Sequence, residues 1–204
     1  MPQEYQYRTE TLASIHDRHS IRQFSDQPVS KEDLLTILNA ANQAPSAHNQ
    51  QSWKFRVLSG EKKQELVKLV TERYARFPKP TAALLRMAAR SIASAPVVIV
   101  VMNTGELMKR GSQLFKVDSE SARDFFRIME IQSSAAAVEN MLVAATSIGL
   151  STVWLGILIM IQKELLQFLG NPEGEFMAVV PVGYALRPHA GPKKRSLEDV
   201  VVFE

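Results

Sequence analysis

Three polar side chains alternate in the run Arg18-His19-Ser20-Ile21-Arg22-Gln23-Phe24: Arg18, Ser20 and Arg22. In extended backbone, residues two apart project to one side. Two guanidinium groups and a hydroxyl could therefore converge on a phosphate through charge-assisted hydrogen bonds. A solvated surface strand carries the same pattern, so the triplet needs company. A second set lies in Pro45-Ser46-Ala47-His48-Asn49-Gln50-Gln51-Ser52-Trp53, where a proline delivers small and amide-bearing side chains into a loop just before an apolar run. Asn49 is the candidate ligand there, because an amide both donates and accepts, and Trp53 reads as core. The clearest basic cluster is Lys193-Lys194-Arg195.

Other chemistries lack their residues. The chain has no cysteine, which removes disulfides, thiolate metal sites, iron–sulfur ligation and cysteine nucleophiles. Any redox chemistry must come from a bound cofactor. None of the nine glycines forms G-x-G, so neither the dinucleotide fingerprint nor a Walker loop is present. His16, His19, His48 and His189 show no i, i+4 pair and no H-E-x-x-H, which speaks against zinc, and G-x-S-x-G is missing. A formal charge of +3 with dispersed cations suits small anions better than nucleic acid. The N-terminal residues are polar, and the longest apolar region, Val153 to Ile161, falls short of the roughly 20 residues of a membrane span. A cytoplasmic protein without a membrane segment is expected.

The elements that must position these residues follow from periodicity. With 204 residues and 46% hydrophobic content, the expectation is one domain over 1–204. Leu12 and Ile15 predict a short helix over Thr9 to His16, running into an extended segment. Ser30 is placed to cap a second helix, with Asp33 reaching back as in a capping box. That helix must stop near Ala44, ahead of Pro45. Trp53, Phe55 and Val57 alternate as in a strand. Glu61 to Tyr74 and Thr81 to Ala93 read as helices, and Val97 to Met102 as a strand buried on both faces. Between Asn103 and Ser121 periodicity is lost, which leaves open a mobile flap over a site or a plain surface excursion. Ala122 to Ile148 predicts a helix whose alanines permit close packing, with Gly149 as C-cap. Ser151 to Trp154 and Phe176 to Gly183 read as strands, and Gln162 to Leu169 as a helix. Arg187 to Glu204 is a polar arm with an apolar end that needs something to pack on, and the apolar helices suggest a large dimer interface.

Arg18 to Phe24 together with Ala44 to Trp53 resembles the nitroreductase family. Ile148-Gly149-Leu150-Ser151-Thr152-Val153-Trp154-Leu155-Gly156 is similar to its glycine-containing segment beside the flavin, and Lys193 to Val201 to its C-terminal basic motif. The resemblance covers nearly the whole chain. It implies an α+β fold with a central mixed β-sheet flanked by helices, and an intertwined homodimer that exchanges C-terminal arms and binds FMN at the interface. It further implies that Arg18, Ser20 and Arg22, with Lys193 and Arg195, hold the FMN phosphate, and that His19 contributes backbone or ring contacts. Lys193 and Lys194 are adjacent, so which of them reaches the phosphate stays open. Pro45, Ser46, Ala47 and Asn49 would line the flavin from the partner subunit, where amides suit the ring edge and ribityl hydroxyls. Leu155 and Gly156 would lie over the central ring, the Gly156 amide near flavin N5, although a glycine there also suits a simple turn. Two departures, Ser52 for proline and Ser151 for glycine, bear on backbone geometry and acceptor preference.

The reaction implied is a ping-pong hydride transfer from NADH or NADPH, through flavin N5, to a small acceptor such as a nitroaromatic or quinone. No side chain need act as acid or base. The alternatives are the same fold with another reaction, such as dehalogenation or dehydrogenation, an FMN carrier or sensor without turnover, and a plain interaction module.

Overall fold

The computed structural model describes residues 8–115, 119–171, 173–187 and 190–204. Helix α1, Glu10–Asp17, is capped by Thr9, whose hydroxyl accepts from the Leu12 N–H. Helix α2, Lys31–Asn42, starts at Ser30 as expected, but only half of the capping box forms. The Ser30 hydroxyl accepts from the Asp33 N–H at 2.9 Å, while the Asp33 carboxylate accepts from that same hydroxyl at 2.8 Å rather than from the Ser30 backbone. After a 3-10 turn at Ala47–Asn49 come strand β1, Trp53–Ser59, helix α3, Gly60–Tyr74, and helix α4, Lys79–Ser94. Helix α4 begins two residues before the expected Thr81, because Pro80 is tolerated in a first turn.

Strand β2, Val97–Asn103, is buried along its whole length. The aperiodic stretch that follows is not an unstructured excursion: it contains helix α5, Glu106–Phe115. Residues 116–118 of that stretch lie outside the described residues. Helix α6, Ser119–Ser147, runs to Gly149, which has φ +79° and closes the helix. The Leu150 N–H reaches the Ala145 carbonyl at 2.8 Å and the Gly149 N–H the Thr146 carbonyl at 3.1 Å, a Schellman closure. Strand β3 is only Ser151–Thr152, shorter than expected, since Leu155 turns off to bridge Val179. A 3-10 segment at Gly156–Ile161, helix α7, Gln162–Phe168, and strand β4, Glu175–Gly183, complete the core.

The strands are ordered β1-β2-β4-β3 and pair antiparallel throughout. The mixed character is confined to one parallel bridge, Ser20 to Thr152. Side chains alternate between two layers: Val98, Val100 and Met102 pack with α3, α4 and α7, whereas Ile99 and Val101 pack with α2 and α6. A bulge opposite Val101 and Met102 breaks the period of two, so that Met177 and Ala178 both turn toward α6. Ala137, Met141 and Ala145 are fully buried, and the Asn140 amide donates to the Ala40 carbonyl at 3.1 Å, which fixes α6 on α2. Trp53 is buried as expected, its indole N–H donating to the Asn42 side chain at 3.0 Å.

Register fixes which residues share an end of the sheet. Trp53 pairs with Asn103 and Asn103 with Glu175 at one end. Ser59, Val97, Val182 and Thr152 align at the other, where Ser20 bridges. The two ends are about 20 Å apart, at roughly 3.4 Å per strand residue.

Candidate functional site

The segment after α1 is stitched along β3 and the end of β4. The Ile21 N–H donates to the Thr152 carbonyl at 2.9 Å, the Ser25 N–H to Tyr184 at 2.9 Å and the Leu186 N–H to Gln23 at 3.0 Å. Ile21 and Phe24 are buried as anchors, which leaves Ser20 and Arg22 facing solvent. There they line a cleft of about 770 Å³, whose far wall is α4 and whose rim is the chain leaving β4. Arg22, Arg90 and Arg187 supply its charge, Ser20, Ser91 and Ser94 its hydroxyls, and among the described residues no carboxylate lines it. Arg90 and Arg187 belong to no motif of the sequence. The only local signal for Arg90 is its spacing from Arg86 on α4, which any solvated helix face would show.

Arg18 takes a different direction. Its Nε lies 3.6 Å from a Glu139 carboxylate oxygen on α6, and it does not line the cleft. His19 stays between the two directions, its Nδ1 2.7 Å from the Asp17 carbonyl. The C-terminal arm crosses here, since a side chain at Gly191 would come within 2.9 Å of His19 Cβ. Lys193 and Arg195 follow on that arm and are exposed. Leu155 is buried against β4, and Gly156 opens the 3-10 segment with the Trp154 indole nitrogen 3.6 Å from where its side chain would begin.

Pro45, Ser46, Ala47 and Asn49 sit at the opposite end of the sheet, in the loop that enters β1. The Ala47 N–H donates to the Ser133 hydroxyl on α6 at 3.1 Å, and the Ser46 hydroxyl accepts from the Gln51 N–H at 3.1 Å. The Asn49 side chain is exposed and accepts from the Gln51 amide at 3.0 Å. His48, Asn49 and Gln51 all hold φ near +50°, a left-handed conformation that costs a non-glycine residue roughly 1 kcal/mol or more. Beneath the loop lies a buried polar group: Ser52, Asn103, Glu130 and Ser134, with Asn103 accepting from the Ser134 hydroxyl. One chain therefore carries both expected sets of ligand residues but holds them at opposite ends.

The profile of the Nitroreductase family matches residues 15–184. The chain belongs to the nitroreductase family. An Archaeoglobus fulgidus protein named "Putative NADH dehydrogenase/NAD(P)H nitroreductase" is 33% identical over 178 residues, 86% of this chain and 85% of its own. A Desulfovibrio desulfuricans protein described as "a putative nitroreductase in complex with fmn" superposes with TM-score 0.73 at 25% identity, covering 97% of this chain and 98% of its own. A Bacteroides fragilis nitroreductase with bound FMN has the same fold, with TM-score 0.75 at 22% identity over 96% of this chain and 100% of its own. Among the described residues of this nitroreductase-family chain, no helix is long and apolar enough to cross a membrane.

Proposed function

We propose that this chain is an FMN-dependent oxidoreductase, acting as a cytoplasmic homodimer with NADH or NADPH as donor. The observation that carries the reading is the cleft: three guanidinium groups and three hydroxyls around about 770 Å³, with no carboxylate among the lining residues. The Ser91 and Ser94 hydroxyls donate to the Met87 and Ser91 carbonyls, so the donors open to a ligand are the three guanidinium groups and the Ser20 hydroxyl, a set that fits an anionic, phosphate-bearing ligand. The apolar walls given by Ile21, Phe24, Met87 and Leu186 fit a flat aromatic body. FMN binding by the Desulfovibrio desulfuricans relative supports the choice of ligand.

Ser20 and Arg22 would hold the phosphate, with Arg90 and Arg187 closing the charge balance. Arg18 would join from its pair with Glu139, since a partly exposed ion pair is worth at most about 1 kcal/mol and exchanges readily for a doubly charged phosphate. The arm beside His19 would bring Lys193, or its neighbour Lys194, and Arg195 to the same group. FMN held there would supply hydride chemistry between NADH or NADPH and a small acceptor such as a nitroaromatic or quinone. The Gly156 amide would face the reacting edge, and Leu155 would support the segment from below.

The separation of ends supports the homodimer. Pro45, Ser46, Ala47 and Asn49 lie about 20 Å from Ser20, so they would meet a ligand in the cleft of a second copy. Exposed apolar side chains are available for that contact: Leu12 and Ile15 on α1, Phe125 and Ile128 on α6, and Val202 and Phe203, which are 82% and 96% exposed. Exchange of the arms would bury the last two.

The deciding experiment is a visible absorption spectrum of the protein with FMN, before and after anaerobic addition of NADH or NADPH. Bound flavin that bleaches is the expected result. Bound flavin that stays oxidised with both donors would point to a carrier or sensor, and absence of bound flavin would overturn the proposal.

A further inference from the structure

Glu130 is a carboxylate on α6 with no exposed surface. A buried charge of this kind is poor for stability, and an apolar side chain of similar volume often serves the fold as well or better. Its chemistry is directed at α5. One Glu130 oxygen accepts from the Leu107 N–H at 2.8 Å, in the first turn of that helix, where a negative charge also complements the helix dipole. Burial pushes the Glu130 carboxyl above the ordinary range, opposed by hydrogen bonds from the Leu107 and Met108 N–H groups and the Ser52 hydroxyl, with repulsion from Glu175 acting in the same direction as burial. Glu175 is in turn paired with Arg127 at 2.5 Å.

Helix α5 then reaches the loop that carries Asn49. Gln50 is held between two α5 side chains one turn apart, its amide nitrogen 3.5 Å from a Glu106 oxygen and its carbonyl 3.4 Å from an Arg110 nitrogen. The Thr104 N–H donates to the Ser52 carbonyl at 2.8 Å, so the segment entering α5 and the loop's exit are joined. On the other side α5 is pressed onto α6, where a Cβ at Gly111 would lie 2.3 Å from the Phe126 ring. Between these ties the three left-handed residues are kept in place, and such strain persists only where the surroundings over-determine it.

We propose that Glu130 is a positioning residue: by fixing the first turn of α5 it fixes Gln50, and thereby the strained loop that presents Asn49 to a second copy's cofactor cleft. This rests on the FMN reading above for its use, but the linkage from Glu130 to the loop stands apart from it.

The test compares Glu130→Leu, which removes the acceptor, with Glu130→Gln, which keeps one, and with Val70→Ala on α3, a fully buried site remote from α5. In cofactor-free protein, Glu130→Leu should raise amide hydrogen exchange about tenfold or more in both 104–110 and 46–51, as expected for loss of one charge-assisted hydrogen bond. Strand β2 should be unaffected. FMN affinity, read by flavin fluorescence, should weaken about tenfold, and Glu130→Gln should restore both readouts to within about threefold. Exchange that rises over α5 but not over the loop would overturn the linkage, as would a Gln variant as defective as the Leu variant. Equal weakening of FMN by Val70→Ala would reduce Glu130 to a general stability role and overturn the proposal. Should Glu130→Leu fail to fold, Gln50→Ala carries the test: exchange should rise in 46–51 alone, and an unchanged loop would refute the linkage. A wild-type protein that binds no FMN would sink the functional reading, while the exchange data would still decide the linkage.

Discussion

The two ends of the sheet handle polar side chains in opposite ways. At the Ser20 end, Arg22, Arg90 and Arg187 stand around an open cleft with their charges unmatched by any lining carboxylate. At the Trp53 end, Ser52, Asn103, Glu130 and Ser134 are buried, and their bonds run to other parts of the chain. Open, uncompensated charge is held ready for something that arrives from solution. The buried Glu130 carboxylate specifies the backbone that it binds, at the Leu107 N–H. On the proposed reading the first end binds and the second holds a loop in shape, and a ligand site made from both would need two copies of the chain.

That contrast can be broken by substitution. The largest effect should come at the open end: Arg22→Ala and Arg90→Ala should each weaken FMN binding by about 10- to 100-fold. Both side chains are exposed, so the thermal midpoint of the FMN-free protein should not move. A drop in midpoint without loss of affinity would reverse the assignment of the two ends. Gly111→Ala, near the other end, should do the opposite. Helix propensity favours alanine by about 1 kcal/mol, but the 2.3 Å approach to Phe126 forces α5 off α6. A net loss of about 1–3 kcal/mol in denaturant unfolding is expected.

A smaller effect should appear as a pH slope. Because the Glu130 carboxyl is raised above its unfolded value, its contribution favours the fold fully below the ordinary carboxylate range and is lost as pH rises through the raised value. Glu130→Gln cannot titrate. Its melting temperature should therefore gain on wild type as pH rises above the ordinary carboxylate range. A difference that is flat with pH would show that Glu130 does not titrate in this way. The smallest change should be Gln51→Gly, where relief of the left-handed conformation at φ +52° slightly outweighs glycine's entropic cost. A stabilisation of under about 1 kcal/mol is expected by thermal melting.

What the sequence made legible follows from where the stabilising contacts lie. Strand β2 was readable because Val97 to Met102 is apolar and β-branched, and the end of α6 because Gly149 supplies its own closure. The residues of the family motifs were readable as well, since alternation in Arg18 to Arg22 and the proline at Pro45 are local patterns. Helix α5 was not, because what holds it is a carboxylate 23 residues away and a ring against Gly111. Arg90 and Arg187 were missed for the same reason: only the fold brings α4 and the chain after β4 to one cleft. The divergence of Arg18 from Arg22 was also invisible, because it depends on Glu139 of a helix more than a hundred residues later.

Strand β2 has a consequence for how the protein is made. Its seven residues are paired on both edges and covered on both faces only when β1, β4 and the flanking helices are present. On the ribosome, β1 has already emerged, but β4 ends eighty residues later, a delay of roughly 4 to 16 seconds at ordinary synthesis rates. Through that interval Val97-Val98-Ile99-Val100-Val101-Met102 is an uncharged, proline-free segment with one bare edge, the kind that seeds cross-β aggregation. Yield of folded protein should consequently depend on translation speed and chaperone supply over that window, more than on the stability of the finished fold.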